Sequence, residues 1–198
     1  TATAFISGFK NTQTYNRTWE ARQIWGAIIN SSRSLGIMVK DFVRTDDTRN
    51  EAHLHKEILY RHFAWLTALR FQLREPKSWE NIKTKSYNRE YLKYYNVPEW
   101  ESSLDEELKS FLPENERQYI LSTKNRATQI LAQQSERLKE LNKQGIITDF
   151  NYVAFENQLK DLYDQQGKAE RIKNFPYPRQ FSSINLYFTN VLCFLIPL

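Results

Sequence analysis

Three histidines, His53, His55 and His62, stand close together in the sequence, and imidazole is the commonest side-chain ligand for a transition metal. A zinc site needs three or four converging ligands, commonly His at i and i+4 with a carboxylate. His55 and His62 are seven residues apart and no H-E-x-x-H pattern occurs, so no metal is expected. The lone cysteine, Cys193, excludes an internal disulfide and a Cys-based zinc site. Gly8, Gly26, Gly36, Gly145 and Gly167 are too dispersed to form a phosphate-cradling loop. Ser31-Ser32 has none of the strand-turn-helix context that exposes a nucleophilic hydroxyl. These residues describe no enzyme and imply no cofactor.

A second cluster has the chemistry of single-strand binding. Tyr87, Tyr91, Tyr94, Tyr95 and Trp100 are interleaved with Lys83, Lys85, Arg89 and Lys93, and aromatic faces among bases can stack and neutralise a nucleic acid. Glu90, Glu99, Glu101, Asp105, Glu106 and Glu107 follow closely, however, and would repel phosphate. The segment is expected to be a peripheral insertion capping a helical bundle, with no nucleic-acid partner.

The elements that must position these residues are helices. Glycine and proline are scarce, apolar residues recur at a period near 3.6, and no alternation of the kind strands show is sustained. The fold class expected is all-α. A first helix is predicted from the N-terminus to about Val43, with Phe5, Phe9, Tyr15, Trp19, Ile24, Ile28, Leu35, Val39 and Phe42 as its apolar positions. Thr45-Asp46-Asp47-Thr48 breaks it and offers caps to a second helix over about Arg49 to Arg74. That helix shows Leu54, Ile58, Phe63, Leu66, Leu69 and Leu73 on one side. Short helices and loops are expected between Glu75 and Pro113. One helix then runs from Pro113, a proline at the first helical position, to about Lys143, where Gly145 ends it. Another follows Thr148-Asp149 to about Asn174. Pro176 and Pro178 impose an extended link, because each disfavours helix at the residue before it.

Both ends of the chain differ from its middle. Residues 1–9 and 180–198 carry no formal charge, so every Lys, Arg, Asp and Glu lies between Lys10 and Arg179. A mean hydropathy of −0.68 places most of the chain in water. The run from Ile184 to Leu198 nevertheless reads as the first half or more of a membrane-spanning helix, which needs about 20 mostly apolar residues. The net charge of +5 suits nucleic acid or the anionic inner face of a membrane, and Lys and Arg near a span favour the cytoplasmic side. The expected organisation is a single domain over residues 1–198, cut from a longer membrane protein. Residues 10–179 form its cytoplasmic helical region, and 180–198 begin a transmembrane helix. A soluble helical adaptor or nucleic-acid-binding protein with an apolar tail is the competing reading from composition alone.

Two stretches resemble one known family. One is Gly8-Phe-Lys-Asn11, followed by Tyr15-Asn-Arg-Thr-Trp-Glu-Ala-Arg-Gln-Ile-Trp-Gly26 and Ser32-Arg33; the other is Glu170-Arg-Ile-Lys-Asn-Phe-Pro-Tyr-Pro178 leading into the apolar tail. In combination they resemble the bestrophin family of ion channels and its bacterial relatives, in order and over essentially the whole chain. Phe175 stands where the family often has Thr, and Arg179-Gln180 replaces its usual Phe-Ala.

The resemblance implies a homo-pentamer in the cell membrane, passively conducting anions, chloride above all, through a central pore. Its partners would be further copies of itself, the lipid bilayer and the permeating ions. A cation-selective bacterial homologue is the alternative on the same scaffold. Residues 1–9 would form the pore neck, with Thr1, Phe5 and Phe9 facing the axis. Their four-residue spacing drifts only slowly around a helix, and a ring of such side chains makes a dry constriction that can gate by dewetting. On pattern alone, Phe5 and Phe9 read more readily as core residues of an amphipathic helix, and it is the flanking motif that favours the pore. Phe150 would form a second aperture at the cytoplasmic mouth, or else anchor its helix on the preceding one. Gly8, Trp19, Glu20, Arg22, Trp25, Arg33, Glu170, Arg171, Pro176 and Pro178 belong to the matching motifs and take structural roles in this reading. Trp19 and Trp25 would pack between helices or subunits. The Glu and Arg side chains shape the ion path, or they form solvated or intersubunit ion pairs.

Overall fold

The computed structural model describes residues 2–80, 86–176 and 179–195, with the side chains of residues 2–7, 87, 91 and 179–185 outside the description. Every extended element among the described residues is helical, as the 3.6-residue period requires. Eight α-helices follow in order: α1 Ala2–Phe42, α2 Thr48–Arg74, α3 Ser86–Tyr94, α4 Leu104–Leu108, α5 Glu114–Ser122, α6 Arg126–Lys143, α7 Asp149–Asn174 and α8 Arg179–Leu195. Single 3-10 turns at Ser78–Glu80 and Pro98–Trp100 punctuate the stretch between α2 and α4.

Short links fold the long helices back on one another. Residues 43–47 join α1 to α2: the Asp47 side chain accepts from the Arg49 amide, and Glu51 reaches back to the Thr45 amide at 3.1 Å. Residues 144–148 join α6 to α7. There Gly145 takes φ +74°, and the Ile146 amide donates to the Leu141 carbonyl, the Schellman geometry that a side chain at Gly145 would strain. The Thr148 side chain then caps α7 by accepting from the Asn151 amide. The four long helices α1, α2, α6 and α7 pack around one core of which Leu35, Ile58, Trp65, Leu69, Leu138, Leu141, Phe155 and Leu162 are completely buried.

Hydrogen bonds fix their directions. Arg17 meets Ile172 while Ser31 meets Gln158, so α1 and α7 are antiparallel. Gln134 meets Arg61 while Arg137 meets Glu57, so α6 and α2 are antiparallel too. Trp65 meets Gln166 and Gln72 meets Glu170, so α2 and α7 run parallel. One end of the bundle therefore collects Arg17, the C-terminus of α2, the N-terminus of α6 and the C-terminus of α7, from which the chain passes to α8. The opposite end carries Phe42, Leu54, Leu141 and Phe150.

Three sequence expectations change. The helix predicted from Pro113 to Lys143 is two helices, with Pro113 in the cap position and a break at residues 123–125. The Ser122 and Thr123 hydroxyls donate to the Tyr119 and Ile120 carbonyls, and the Asn125 side chain accepts from the Thr128 amide. Such side chains compete with the helical backbone and start a new helix instead of continuing the old one. On α2, Phe63 is exposed and Arg61, His62, Trp65 and Ala68 lie inside. The stripe through Leu54, Ile58, Trp65 and Leu69 keeps the helical period, and Phe63 falls off it against Tyr60 and Phe111. On α1, Tyr15 and Trp19 are exposed, whereas Ile24, Ile28, Leu35 and Val39 are buried.

The buried Arg61 and Gln134 are paired inside the bundle. Arg61 donates to Glu116 at 2.6 and 3.0 Å, to Glu57 at 3.3 Å and to Gln134 at 3.3 Å. Arg137 grips Glu57 from the other side at 2.8 and 3.0 Å. Burial raises the Glu57 carboxyl, but the hydrogen bonds and charges of Arg137 and Arg61 outweigh it and hold its pKa below the ordinary value. Removing the Arg61 cation would strand Glu116, while Glu57 would keep only Arg137. Arg61→Ala is expected to cost about 3–5 kcal/mol, read as a lowered denaturant midpoint; an unchanged midpoint would show that water already screens the network.

Candidate functional site

The two motif stretches meet at the end of the bundle nearest α8. Arg17, from the first stretch, sends Nη1 to the Phe175 carbonyl and Nη2 to the Ile172 carbonyl, both at 2.7 Å. The last carbonyls of a helix have no partner within it and carry partial negative charge, so a guanidinium there satisfies them and complements the dipole. Glu20, one turn further along α1, forms an ion pair with Arg171. Both partners of that pair are well exposed, so it contributes little more than register. The charged motif residues Glu20 and Arg171 thus pair within one chain. Arg22 and Arg33 are exposed on α1.

Glu170 faces the other way, into the bundle. Its Oε1 accepts from Gln166 at 2.7 Å, from Gln72 at 2.9 Å and, more weakly, from Asn125 at 3.4 Å. Gln166 is buried and accepts from the Trp65 indole at 2.9 Å while donating to Thr128 at 2.9 Å. This network ties α2, the start of α6 and α7 together beneath the Arg17 contact. Trp65, Gln72, Asn125 and Gln166 were not singled out by sequence reasoning, because isolated amides on amphipathic helices look like surface residues. Arg17 lies inside the quoted motif, three residues before Glu20; that shared face was its available signal.

The aromatic motif residues point outward. Phe9 is 49% exposed and Phe150 is 84% exposed. Within this chain Phe150 is therefore no anchor on the preceding helix, although it occupies the first turn of α7 directly after the Thr148 cap. Trp19 stacks on Tyr15 with ring centroids 6.3 Å apart, and both rings remain largely exposed. Trp25, partly exposed, lines a shallow groove between α1 and α2 with Ile29, Arg33, Leu66 and Arg70. Neither tryptophan is enclosed by its own chain. Gly8 is exposed within α1, and Pro176 is exposed in the link after α7. Thr1, the side chain of Phe5, and Pro178 lie outside the described residues.

Other candidates resolve by geometry. Among the described residues, no group of three or more His, Cys, Asp or Glu side chains could hold a metal. His55 is hydrogen-bonded to the Val43 carbonyl at 2.7 Å. His62 is buried against Trp65, its Nε2 has no partner, and burial pushes its pKa down to about 4. The Trp100 indole donates to the Arg74 carbonyl at 2.8 Å, so the aromatic insertion covers the end of α2. Lys83 and Lys85, and the side chains of Tyr87 and Tyr91, lie outside the described residues. Among those described, no helix is long and apolar enough to cross a membrane. α8 has 17 residues, about 26 Å of helix, and exposes Leu186, Tyr187, Phe188, Val191, Phe194 and Leu195.

The structure is thus a closed helical bundle whose distinctive aromatic side chains face outward, away from any internal cavity. The chain belongs to the bestrophin family: residues 1–198 match the family described as Bacterial/Fungal Bestrophin protein. It is 25% identical over 196 residues to a voltage-dependent anion channel-forming protein of Escherichia coli K12, covering 99% of this chain and 54% of that one. A voltage-dependent anion channel-forming protein of Ralstonia nicotianae is 24% identical over 190 residues, covering 91% of this chain and 50% of the relative. The chain spans about half the length of the curated relatives it matches. A mutant crystal structure of a bacterial bestrophin homologue from Klebsiella pneumoniae superposes with a TM-score of 0.78 at 23% identity, over 99% of this chain and 62% of that one. At that identity the superposition establishes the fold.

Two outcomes follow from the geometry of this end. Arg17→Ala should cost about 1–3 kcal/mol, because two carbonyls lose a charged donor. Glu20→Gln should cost less than about 1 kcal/mol. Parallel denaturant titrations check the order, and equal effects would contradict it. For His62, the folded pKa lies below the unfolded value of about 6.5. The unfolded chain therefore binds the extra proton between those values, and stability present above pH 6.5 is lost as pH falls toward 4. The full loss is on the order of 3 kcal/mol. His62→Gln should flatten that part of the stability profile, and an unaltered slope would assign it to other groups.

Proposed function

We propose that the chain is the neck and cytoplasmic part of an anion-channel subunit. Identical copies surround a pore along which Phe5 and Phe9, with Thr1, form a hydrophobic neck, and Phe150 forms an aperture. The observation that carries this reading is Phe150: a phenyl ring, 84% exposed, fixed by its backbone position in the first turn of a long capped helix. A large aromatic fixed in that way needs something other than its own chain to face. Phe9 is the counterpart near the other end. Phe42 packs on Phe155, so α1 between residues 9 and 42 sets the separation, about 50 Å of helix.

The proposed assembly accounts for several exposed groups together. One helix cannot enclose a pore, whereas five copies of α1 can. Trp25 and the groove it shares with Ile29 and Leu66 then become contacts between neighbouring subunits. Uncharged residues 180–198 continue into a bilayer, where α8 starts a span that further residues would complete. Phenyl rings present electropositive edges, so a ring of edges favours a partly dehydrated anion over a cation. The two curated relatives named above are both called anion channel-forming, which agrees with that sign. Conduction of this kind is passive and needs neither turnover chemistry nor a cofactor.

The test is electrical. The complete protein in a planar bilayer under a salt gradient should show a reversal potential displaced toward the anion equilibrium potential. Phe5→Ala/Phe9→Ala should raise current and reduce its dependence on whatever opens the channel, because water persists in a widened neck. Phe150→Ala should leave gating intact and shift the reversal potential. Assembled channels that conduct, gate and select like wild type after both changes would remove the neck and aperture assignments. A reversal potential at the cation equilibrium value would remove the anion assignment.

A further inference from the structure

The break between α5 and α6 has a consequence at the end of the bundle nearest α8. It turns Lys124 and Arg126 into a cleft whose other walls are Arg74 at the end of α2, Gln72, Phe71, Ala68, Pro76, Trp100 and Leu104. Glu75 and Glu99 also border it, but both are engaged elsewhere. Glu75 pairs with Lys77 at 2.6 Å and Glu99 with Arg70 at 2.9 Å. The cations of the cleft are not answered in the same way. Among the described residues no carboxylate pairs with Arg74, Lys124 or Arg126, and Arg126 reaches only the Leu121 carbonyl, at 3.5 Å. The Trp100 indole is fixed by its bond to the Arg74 carbonyl, which holds one apolar wall in place.

Three unanswered cations around a cleft with a fixed aromatic wall match one ligand chemistry. The cations place charged donors along the cleft for a tetrahedral oxyanion, with guanidinium forks suited to phosphate oxygens. Phe71, Leu104 and Trp100 supply apolar surface for a carbon chain or backbone attached to it. The location narrows the source. Gln72 and Asn125, neighbours of the cleft residues Arg74 and Lys124, both reach Glu170, and Glu170 stands nine residues before the start of α8 at Arg179. The cleft therefore opens at the end of the bundle where the chain leaves for its apolar segment.

We infer that the Arg74–Lys124–Arg126 cleft binds a phosphate-bearing anion, and that its position suits the headgroup of an anionic phospholipid. A lipid source depends on α8 entering a bilayer, as proposed above; a soluble phosphate does not. Bound there, the anion would bridge the end of α2 to the start of α6. It would neutralise charge that otherwise repels across the cleft.

The experiment uses the complete protein in detergent micelles, with two probes: inorganic phosphate, and phosphatidylglycerol compared with phosphatidylcholine in mixed micelles. Native mass spectrometry counts lipid retained per subunit, and calorimetry reads phosphate binding. Wild type should retain phosphatidylglycerol in preference to phosphatidylcholine. The R74Q/K124Q/R126Q variant should weaken that binding by at least about tenfold, since charge-assisted hydrogen bonds carry it. K139Q/K143Q/K160Q removes the same charge away from the cleft and should bind like wild type. Circular dichroism checks folding, and K124Q alone, an exposed change, serves if the triple variant is unfolded. Binding of phosphatidylglycerol without inorganic phosphate assigns a lipid site, and binding of inorganic phosphate alone assigns a soluble ligand. Either supports the cleft provided its variant loses binding. Equal loss in the control variant, no loss in the cleft variant, or no binding to wild type overturns the inference. Ion conduction is measured separately, so a failed cleft leaves the channel reading standing, and a failed channel leaves phosphate binding to be judged alone.

Discussion

Everything at the end of the bundle nearest α8 depends on where α7 stops, and Arg17 is the side chain that holds that stop against α1. Two 2.7 Å hydrogen bonds to the Ile172 and Phe175 carbonyls fix the last turn of α7. The extended link at Pro176 then departs from a defined point. If that turn frayed, α8 would lose its origin and the Glu20–Arg171 pair its register. The contact is economical in chemistry: the final carbonyls of a helix must find a donor somewhere, and here one guanidinium from α1 supplies both.

Beneath that contact the bundle is held by a different kind of constraint. Gln166, Trp65, Glu170 and Asn125 form a chain of hydrogen bonds between α2, α6 and α7. Such a network penalises any sliding of α7 along α2, because each displaced partner leaves a buried polar group unsatisfied. Apolar packing alone tolerates small shifts between helices far better. The bundle therefore transmits position from one end to the other, which suits a chain that must hold Phe9 and Phe150 at a fixed separation in the proposed pore.

The long helices were legible in the sequence because period, caps and breakers agreed there. Asp47, Thr148 and Gly145 each perform the capping or terminating role their residue type predicts. The break at residues 123–125 was not legible, since Thr123 and Asn125 tolerate helix and only their side-chain bonds tip the balance. That miss also concealed the cleft, because a continuous helix would have left Lys124 and Arg126 on an ordinary solvated face. Phe63 misled for another reason: hydrophobicity marks a residue as suited to burial, and the helical phase decides whether it gets there. The motif charges were legible as a set but not as partners. Glu20 and Arg171 lie 151 residues apart in the sequence, and only the antiparallel packing of α1 on α7 brings them together.

The central claim is that Phe9 and Phe150 are exposed on one chain because they face copies of themselves across a common axis. Cysteine cross-linking reads that directly. In a complete protein carrying Cys193→Ser, Phe150→Cys and Phe9→Cys are introduced one at a time, and the membrane-embedded protein is treated with an oxidant. The account predicts a cross-linked dimer band on a denaturing, non-reducing gel for both positions, because one cysteine per subunit can form one disulfide with one neighbour. A cysteine at exposed Lys160, which has no assigned place on the axis, should give none. Monomer alone at positions 9 and 150, or an equally strong dimer band at position 160, would contradict the account.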